Sequence, residues 1–252
     1  MKISEQLKSF LETGDAQELL NNYDFEELYR KLCNQMKIAA VDIGTFTTLM
    51  YEIDVDPLIY LDEVPKYFLC GQSSTHNIKI PDNIKYISKY AFYKCSGLTD
   101  VTIPDSVTSI GNLAFVDCSG LKAIMLPNSM TSIGVGMLYN CSSLASIVIP
   151  NRVTSIGESA LENCTSLTSI AIPDGVTSIG NQAFYNCSGL TSVTIGTGIT
   201  SIDKSVFDEC EKLEVITYRG TKKQWNAIHK DEHWKDSSTI KTVHCTDGDI
   251  KI

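Results

Sequence analysis

Residues 104–126 read PDSVTSIGNLAFVDCSGLKAIML. The stretch opens on a Pro-Asp turn and then carries the apolar pattern VxxIGxxAF at Val107, Ile110, Ala114 and Phe115. A second turn, Cys118-Ser119-Gly120, leads into another pattern from Leu121. That second pattern, LxxVxI, is complete just upstream at Leu98, Val101 and Ile103, immediately before Pro104. Pro, Asp, Ser and Gly at the two junctions are turn residues. Neither pattern is long enough to close a core by itself.

The surrounding chain repeats this unit. Cysteines stand at Cys95, Cys118, Cys141, Cys164, Cys187 and Cys210, 23 residues apart. A leucine follows each three positions later, from Leu98 to Leu213. Ile87, Ile110, Ile133, Ile156, Ile179 and Ile202 keep the same period, as do five prolines from Pro81 to Pro173. A phase shared by several residue types over six copies marks a serial repeat. Stacked units bury their Leu, Val, Ile and Phe columns against one another, which one unit cannot do alone.

The repeat resembles the BspA-like leucine-rich repeat of bacterial surface antigens, through its LxxLxL-type strand before proline and its IPxxVTSIGxxAFxxCxxLTSI consensus. The resemblance runs from Pro81 to Tyr218. It implies a right-handed solenoid, mainly β, with strands on the concave face and irregular structure on the convex side. It also implies an adhesin-like role in holding another protein or a glycan.

The ends depart from the repeat. Leu61, Val64 and Leu69 lie 23 residues before Ile84, Ile87 and Phe92, so LDEVPKYFL reads as a worn copy with Gln72 in place of cysteine. Beyond Tyr218, the segment RGTKKQWNAIHKDEHWKD predicts a short helix with Trp225 and Ile228 on one face. Ile240, Val243 and Cys245 then predict a last strand. Residues 1–57 do not repeat. Asp24 with Glu27 forms a capping-box pattern ahead of Leu28, Tyr29, Leu32, Cys33 and Met36 at helical spacing; Ser4 to Thr13 and Thr45 to Ile53 are weaker helical stretches. The expected organisation is a helical N-terminal cap over 1–57, the solenoid over 58–218 and a C-terminal capping helix and strand over 219–252.

Composition narrows the function. The 252 residues carry 21 Lys plus Arg against 30 Asp plus Glu, a formal charge of −9. An acidic chain without a basic block is a poor match for nucleic acid or anionic membrane. No apolar run approaches the ~20 residues of a membrane span. The opening MKISEQLKSFLETGD is interrupted by Glu5, Gln6, Lys8 and Ser9, unlike a secretion signal. The sequence as written therefore reads as cytoplasmic, whereas the resembled family is often at the cell surface or secreted, and localisation stays open.

Three features could carry chemistry. The cysteine ladder has no CxxC pair, so it is read as buried free thiols packing as small hydrophobes and not as a metal site. His229 and His233 have the i,i+4 spacing that binds metal from one helix face, with His244 as a third candidate, but Lys230 stands where an HExxH site needs glutamate. AAVDIGTFTT at 39–48 is similar to the first phosphate loop of the actin and Hsp70 ATPase fold in Asp42, Gly44 and Thr45. That fold needs further motifs, and the repeats begin about 15 residues later, so the match is read as coincidence. No cofactor is expected.

The remaining candidate is a surface. Positions two, three and five of LxxVxI should point outward on the concave face. They run His76, Asn77, Lys79; Thr99, Asp100, Thr102; Lys122, Ala123, Met125; Ala145, Ser146, Val148; Thr168, Ser169, Ala171; Thr191, Ser192, Thr194; Glu214, Val215, Thr217. Lys122, Ala123, Met125, Ala145, Ser146, Val148, Ser169 and Ala171 are the candidate partner-binding residues, with an apolar patch at their centre. The expected protein is a non-enzymatic interaction or scaffold module for a protein or glycan, or one that self-associates through this patch. The rival is an enzyme or metal-binding protein using the N-terminal segment or the His229/His233 region.

Overall fold

The computed structural model describes residues 76–252 apart from positions 81, 83, 88 and 90. The expected N-terminal helices, the phosphate-loop-like stretch and the worn repeat lie outside the described residues.

Each 23-residue unit forms one rung of a mainly β solenoid. In chain order the elements are β1 (His76–Lys79), β2 (Tyr86–Ile87), β3 (Leu98–Thr102), β4 (Ser109–Ile110), β5 (Ala123–Met125), β6 (Ser132–Ile133), β7 (Ser146–Ile147) and β8 (Ser155–Ile156). They continue with β9 (Ser169–Ile172), β10 (Ser178–Ile179), β11 (Ser192–Ile195), β12 (Ser201–Ile202) and β13 (Val215–Tyr218). Helix α1 (Lys222–Ala227), β14 (His229–Lys230), β15 (Thr242–Cys245) and β16 (Gly248–Lys251) complete the chain.

Odd-numbered strands through β15 pair in parallel on one side, in the sheets β1-β3-β5-β7 and β9-β11-β13-β15. Even-numbered strands pair on a second side as β2-β4 and β6-β8-β10-β12-β14. Register follows the repeat: Val193 faces Ile170 and Ile216, and Ile179 faces Ile156 and Ile202. The second ladder is reinforced by threonines. Thr154, Thr177 and Thr200 each donate both the backbone N–H and the hydroxyl to the same carbonyl one rung earlier.

The third side is built of turns. Residues at two fixed positions per rung hold the left-handed conformation, for example Leu113 and Asp117 at φ 59° and 61°, and Ser159 and Asn163 at 51° and 61°. Alternation with ordinary residues aims every second N–H at the next rung: Leu113, Phe115 and Asp117 donate to the carbonyls of Val135, Met137 and Tyr139. Left-handed backbone disfavours most side chains, and asparagine tolerates it better than most. Asn140, Asn163 and Asn186 occupy one of the two columns, each with its amide nitrogen donating to the side-chain oxygen one rung before, at 2.7, 2.7 and 2.8 Å. The ladder starts on Asp117.

The core is the stack of inward columns. Leu98, Leu121, Leu144, Leu167, Leu190 and Leu213 are fully buried, as are Phe115, Phe184 and Phe207. Phe92 stacks on Phe115 with ring centroids 4.8 Å apart, and Phe184 on Phe207 at 5.6 Å. Leu138 and Leu161 interrupt this column between the two pairs. The six cysteines are buried as expected, but they do more than fill space. Cys118, Cys141, Cys164, Cys187 and Cys210 each aim Sγ at the carbonyl 26 residues earlier, at 2.9, 3.2, 3.4, 3.3 and 3.3 Å. A small weak donor suits a carbonyl that faces the core.

At the C-terminal end, Trp234 sets its ring edge-on to Phe207 at 6.1 Å, and Trp225 packs against Tyr218 at 5.3 Å. Helix α1 is capped by Thr221, whose side chain accepts from the Gln224 N–H while the Gln224 side chain accepts from the Thr221 N–H. Trp225 and Ile228 are both buried, yet Ile228 lies beyond the helix with extended backbone at ψ 129°. The expected last strand is β15, pairing with β13. An antiparallel hairpin to β16 follows, which was not expected, although Asp247-Gly248 is a hairpin dipeptide.

Candidate binding face

The odd-numbered ladder presents the outward residues as one surface. Alternation along each strand buries Val101, Ile124, Ile147 and Ile170 and leaves their neighbours in solvent. Lys122, Ala123, Met125, Ala145, Ser146, Val148, Ser169 and Ala171 are all exposed. Met125 is 68% and Val148 80% exposed, high values for large apolar side chains. Strand register brings these candidates together: Ala123 pairs with Ser146 and Ile124 with Ile147, so Val148 follows on the same side as Met125. The regular pairing pauses between β7 and β9, where single backbone bonds from Ser166 to Ser142 and from Thr168 to Ala145 carry the ladder across.

Thr99 departs from the expected outward set. His76 pairs with Leu98 and Asn77 with Asp100, so Thr99 is the extra residue of a β-bulge and turns inward. Its side chain is 7% exposed, and its hydroxyl donates to the Asn77 side-chain oxygen at 2.8 Å.

Charge is sparse on this face. From Lys122 to Ala171 the outward positions carry one ionisable group, Lys122. Toward the C-terminal end Glu214 pairs with Lys241 at 2.7 Å, and that ammonium holds the Glu214 carboxyl below its ordinary value. A general base beside a nucleophile, the minimum for single-side-chain catalysis, is not assembled between Lys122 and Ala171.

The histidine candidates are not brought onto one helix face. The helix ends at Ala227, His229 lies in β14 opposite Ser201, and His233 sits in the turn beyond. Extended backbone at Ile228 breaks the i,i+4 relationship that a helix would have imposed. His233 Nδ1 is instead 2.6 Å from Asp236, whose carboxylate raises the imidazole above its ordinary value. His244, on β15, bonds Asp249 across the hairpin at 2.5 Å.

The cysteine column is chemically quiet. Burial pushes the thiols of Cys164 and Cys210 up to about 12. Cys141 and Cys187 are raised well above the ordinary range, first by burial and then by the neighbouring cysteines. Thiolate is the reactive form, so none of these groups is a nucleophile near neutral pH.

The family described as BspA type leucine-rich repeat region matches residues 62–164 and 139–247, in six copies. The chain belongs to the BspA-type leucine-rich repeat family. Solved structures agree. A leucine-rich repeat protein from Bacteroides ovatus is 33% identical with a TM-score of 0.54, over 56% of this chain and 39% of that one. The T. pallidum leucine-rich repeat protein is 31% identical with a TM-score of 0.53, over 57% of this chain and 73% of that one. A pneumococcal vaccine antigen, 21% identical, shares the fold at a TM-score of 0.52 over 67% of this chain and 41% of that one. The chain thus spans well under half of the first of these proteins. None of the curated proteins compared matches the chain.

BspA-type repeat proteins are generally non-enzymatic scaffolds. Among the described residues no helix is long and apolar enough to cross a membrane.

Proposed function

We propose that the chain is a non-enzymatic interaction module that holds a protein partner on its odd-numbered strand face, through Lys122, Ala123, Met125, Ala145, Ser146, Val148, Ser169 and Ala171. In this reading residues 1–57 and 219–252 serve as caps on a solenoid over 58–218. The observation that carries it is the exposure of Met125 and Val148 on neighbouring rungs of a parallel ladder, among small side chains that let a partner approach closely. Burying both side chains supplies a few kcal/mol, at about 25 cal/mol per Å² of apolar area. Association itself costs several kcal/mol, so the hydroxyls of Ser146 and Ser169 and the Lys122 ammonium must add hydrogen bonds at the rim. A second copy of the chain and a glycan are the competing occupants of the same face.

The test is Met125→Glu combined with Val148→Lys. Both side chains already face solvent, so circular dichroism and the melting temperature should match the parent. Partner capture from cells expressing the chain, and any dimer seen by light scattering, should be lost. A double variant that captures and assembles as the parent does removes this face from consideration.

A further inference from the structure

The turn side of the solenoid holds a groove of about 680 Å³ lined by Tyr93, Leu113, Val116, Asp117, Val135, Gly136, Tyr139, Glu158 and Ser159. That volume is in the range of ligand sites. It is distant in sequence register from the strand face, since none of its residues belongs to an odd-numbered strand.

The groove arises from a break in the repeat. One left-handed position per rung is occupied in turn by Leu113, Gly136, Ser159 and Gln182. Gly136 has no side chain to fill its place, and a Cβ there would lie 2.4 Å from Leu113 Cδ2. Leu113 therefore leans into the space that glycine vacates, and the small Ser159 extends the notch by one more rung. Val116 is buried at the floor, and Val135 is 40% exposed on the wall. Tyr93 and Tyr139 stand one rung to either side of Val116. With rungs about 4.8 Å apart, the lining from Tyr93 to Glu158 spans three steps, the length of about four extended residues.

The charges facing this space are unbalanced. Asp117 and Glu158 line it directly. Glu162 lies close enough to act on the Tyr139 phenol, which is held above its ordinary value by burial first and then by Glu162 and Asp117. A cation borders this space in Lys94, whose ammonium sits 5.0 Å from the centre of the Tyr93 ring. That contact shows the mode in miniature: Tyr93 of this column holds a cation, first through its hydroxyl and with the ring 5.0 Å away, while Asp117 acts on the same ammonium. At the next tyrosine of the column, Tyr139, the residue equivalent to Lys94 is Asn140, which is neutral.

We propose that this groove binds a short extended peptide segment that presents an arginine or lysine between apolar side chains. The cation sits by the Tyr139 ring between Asp117 and Glu158, and the apolar neighbours lie on Leu113, Val116 and Val135. Cation–aromatic contact and two carboxylates favour a guanidinium. The mostly aliphatic floor favours apolar side chains over the hydroxyl-rich edge of a sugar.

The experiment uses the full chain and two end-capped peptides carrying a neutral dye, Ala-Leu-Arg-Leu-Ala and the same peptide with glutamate in place of arginine. Fluorescence anisotropy should show saturable binding of the arginine peptide that weakens as salt is raised. The glutamate peptide should not bind. Glu158→Lys should weaken binding at least about tenfold, and the milder Glu158→Gln should do so less. Glu158 is exposed, so both variants should keep the parent's circular dichroism. Met125→Glu with Val148→Lys should leave peptide binding unchanged, which separates this site from the strand face. The proposal is overturned if neither peptide binds at concentrations on the order of 1 mM. It is also overturned if both bind alike, if the strand-face variant abolishes binding while Glu158→Lys does not, or if chitotriose displaces the arginine peptide.

Discussion

The Cys164 thiol lies 3.4 Å from the carbonyl of Leu138, 26 residues earlier and one rung back. The same carbonyl accepts from the Cys141 N–H at 3.1 Å, within its own rung. Each cysteine from Cys118 to Cys210 thus joins its rung to the previous one at a carbonyl that a turn of that previous rung already uses. This accounts for a small, weakly polar side chain at a position where a leucine would overfill and a serine would demand a stronger partner.

The thiol column has a pH signature. The buried thiols of Cys164 and Cys210 are raised to about 12, against an ordinary value of 9.0. In the unfolded chain they ionise near that ordinary value; in the folded chain they stay protonated. The folded state therefore binds more protons between the two values, and stability falls as pH rises through that window. The slope is about −1.4 kcal/mol per pH unit for each such thiol. Their contribution should be intact below pH 8 and lost progressively from 9 toward 12. Urea midpoints for the parent and for Cys164→Ala should run parallel with pH up to about 8 and converge above 9, where the parent falls more steeply. Parallel pH dependence throughout would count against the assignment. Thiol titration of native protein at neutral pH should find these six groups unreactive.

Inward and outward positions should separate cleanly in stability. Phe115 is fully buried and stacked on Phe92, so Phe115→Ala should cost about 3–5 kcal/mol. Thr102 is exposed on β3, so Thr102→Ala should cost under about 0.5 kcal/mol. Chemical denaturation of both variants checks the register, and equal losses would contradict it.

The last rung depends on its aromatic lid. Trp234 covers Phe207 and Trp225 covers Tyr218, and the two indoles meet at 6.1 Å. Trp234→Ala should cost about 3–5 kcal/mol. A chain ending at Arg219 should expose Leu213, Ile216 and Tyr218 and either aggregate or unfold without a sharp transition. Light scattering and a thermal melt of the truncated chain decide this; a melt as sharp as the parent's would show that the lid is dispensable.

The repeat was legible because its chemistry is periodic in one dimension. A column such as Leu98 to Leu213 is visible as a spacing before any coordinate is known, and the inward and outward alternation follows from the strand pattern. Features that break the period were harder to read. The Thr99 bulge depends on pairing with β1 and leaves no mark in the spacing. The helix after Thr221 was legible, but its end at Ala227 was not, and that end leaves both His229 and His233 outside the helix. The Asn140, Asn163 and Asn186 column was present at the same spacing as the cysteines and could have been found one position before each. The groove at Gly136 needed the fold, because a missing side chain matters only once its neighbours on adjacent rungs are known.

The asparagine column yields the last prediction. Asn163 combines two roles: it holds a left-handed backbone at φ 61°, and it links Asn140 to Asn186 through its side-chain amide. Asn163→Ala loses both. The left-handed conformation costs an alanine roughly 1–2 kcal/mol, and two side-chain hydrogen bonds add about 0.5–1.5 kcal/mol each. Asn163→Gly removes the amide but tolerates the backbone, so it should recover the conformational part while the loss of the hydrogen bonds remains. Alanine should therefore be the more destabilising of the two by about 1 kcal/mol. If glycine restores the parent's stability, the ladder contributes nothing and asparagine is there for its backbone alone. If alanine and glycine are equally destabilising, the side-chain ladder dominates. Urea denaturation of the three proteins distinguishes these outcomes, with Asn140→Ala repeated on the adjacent rung to show whether the effect propagates along the column.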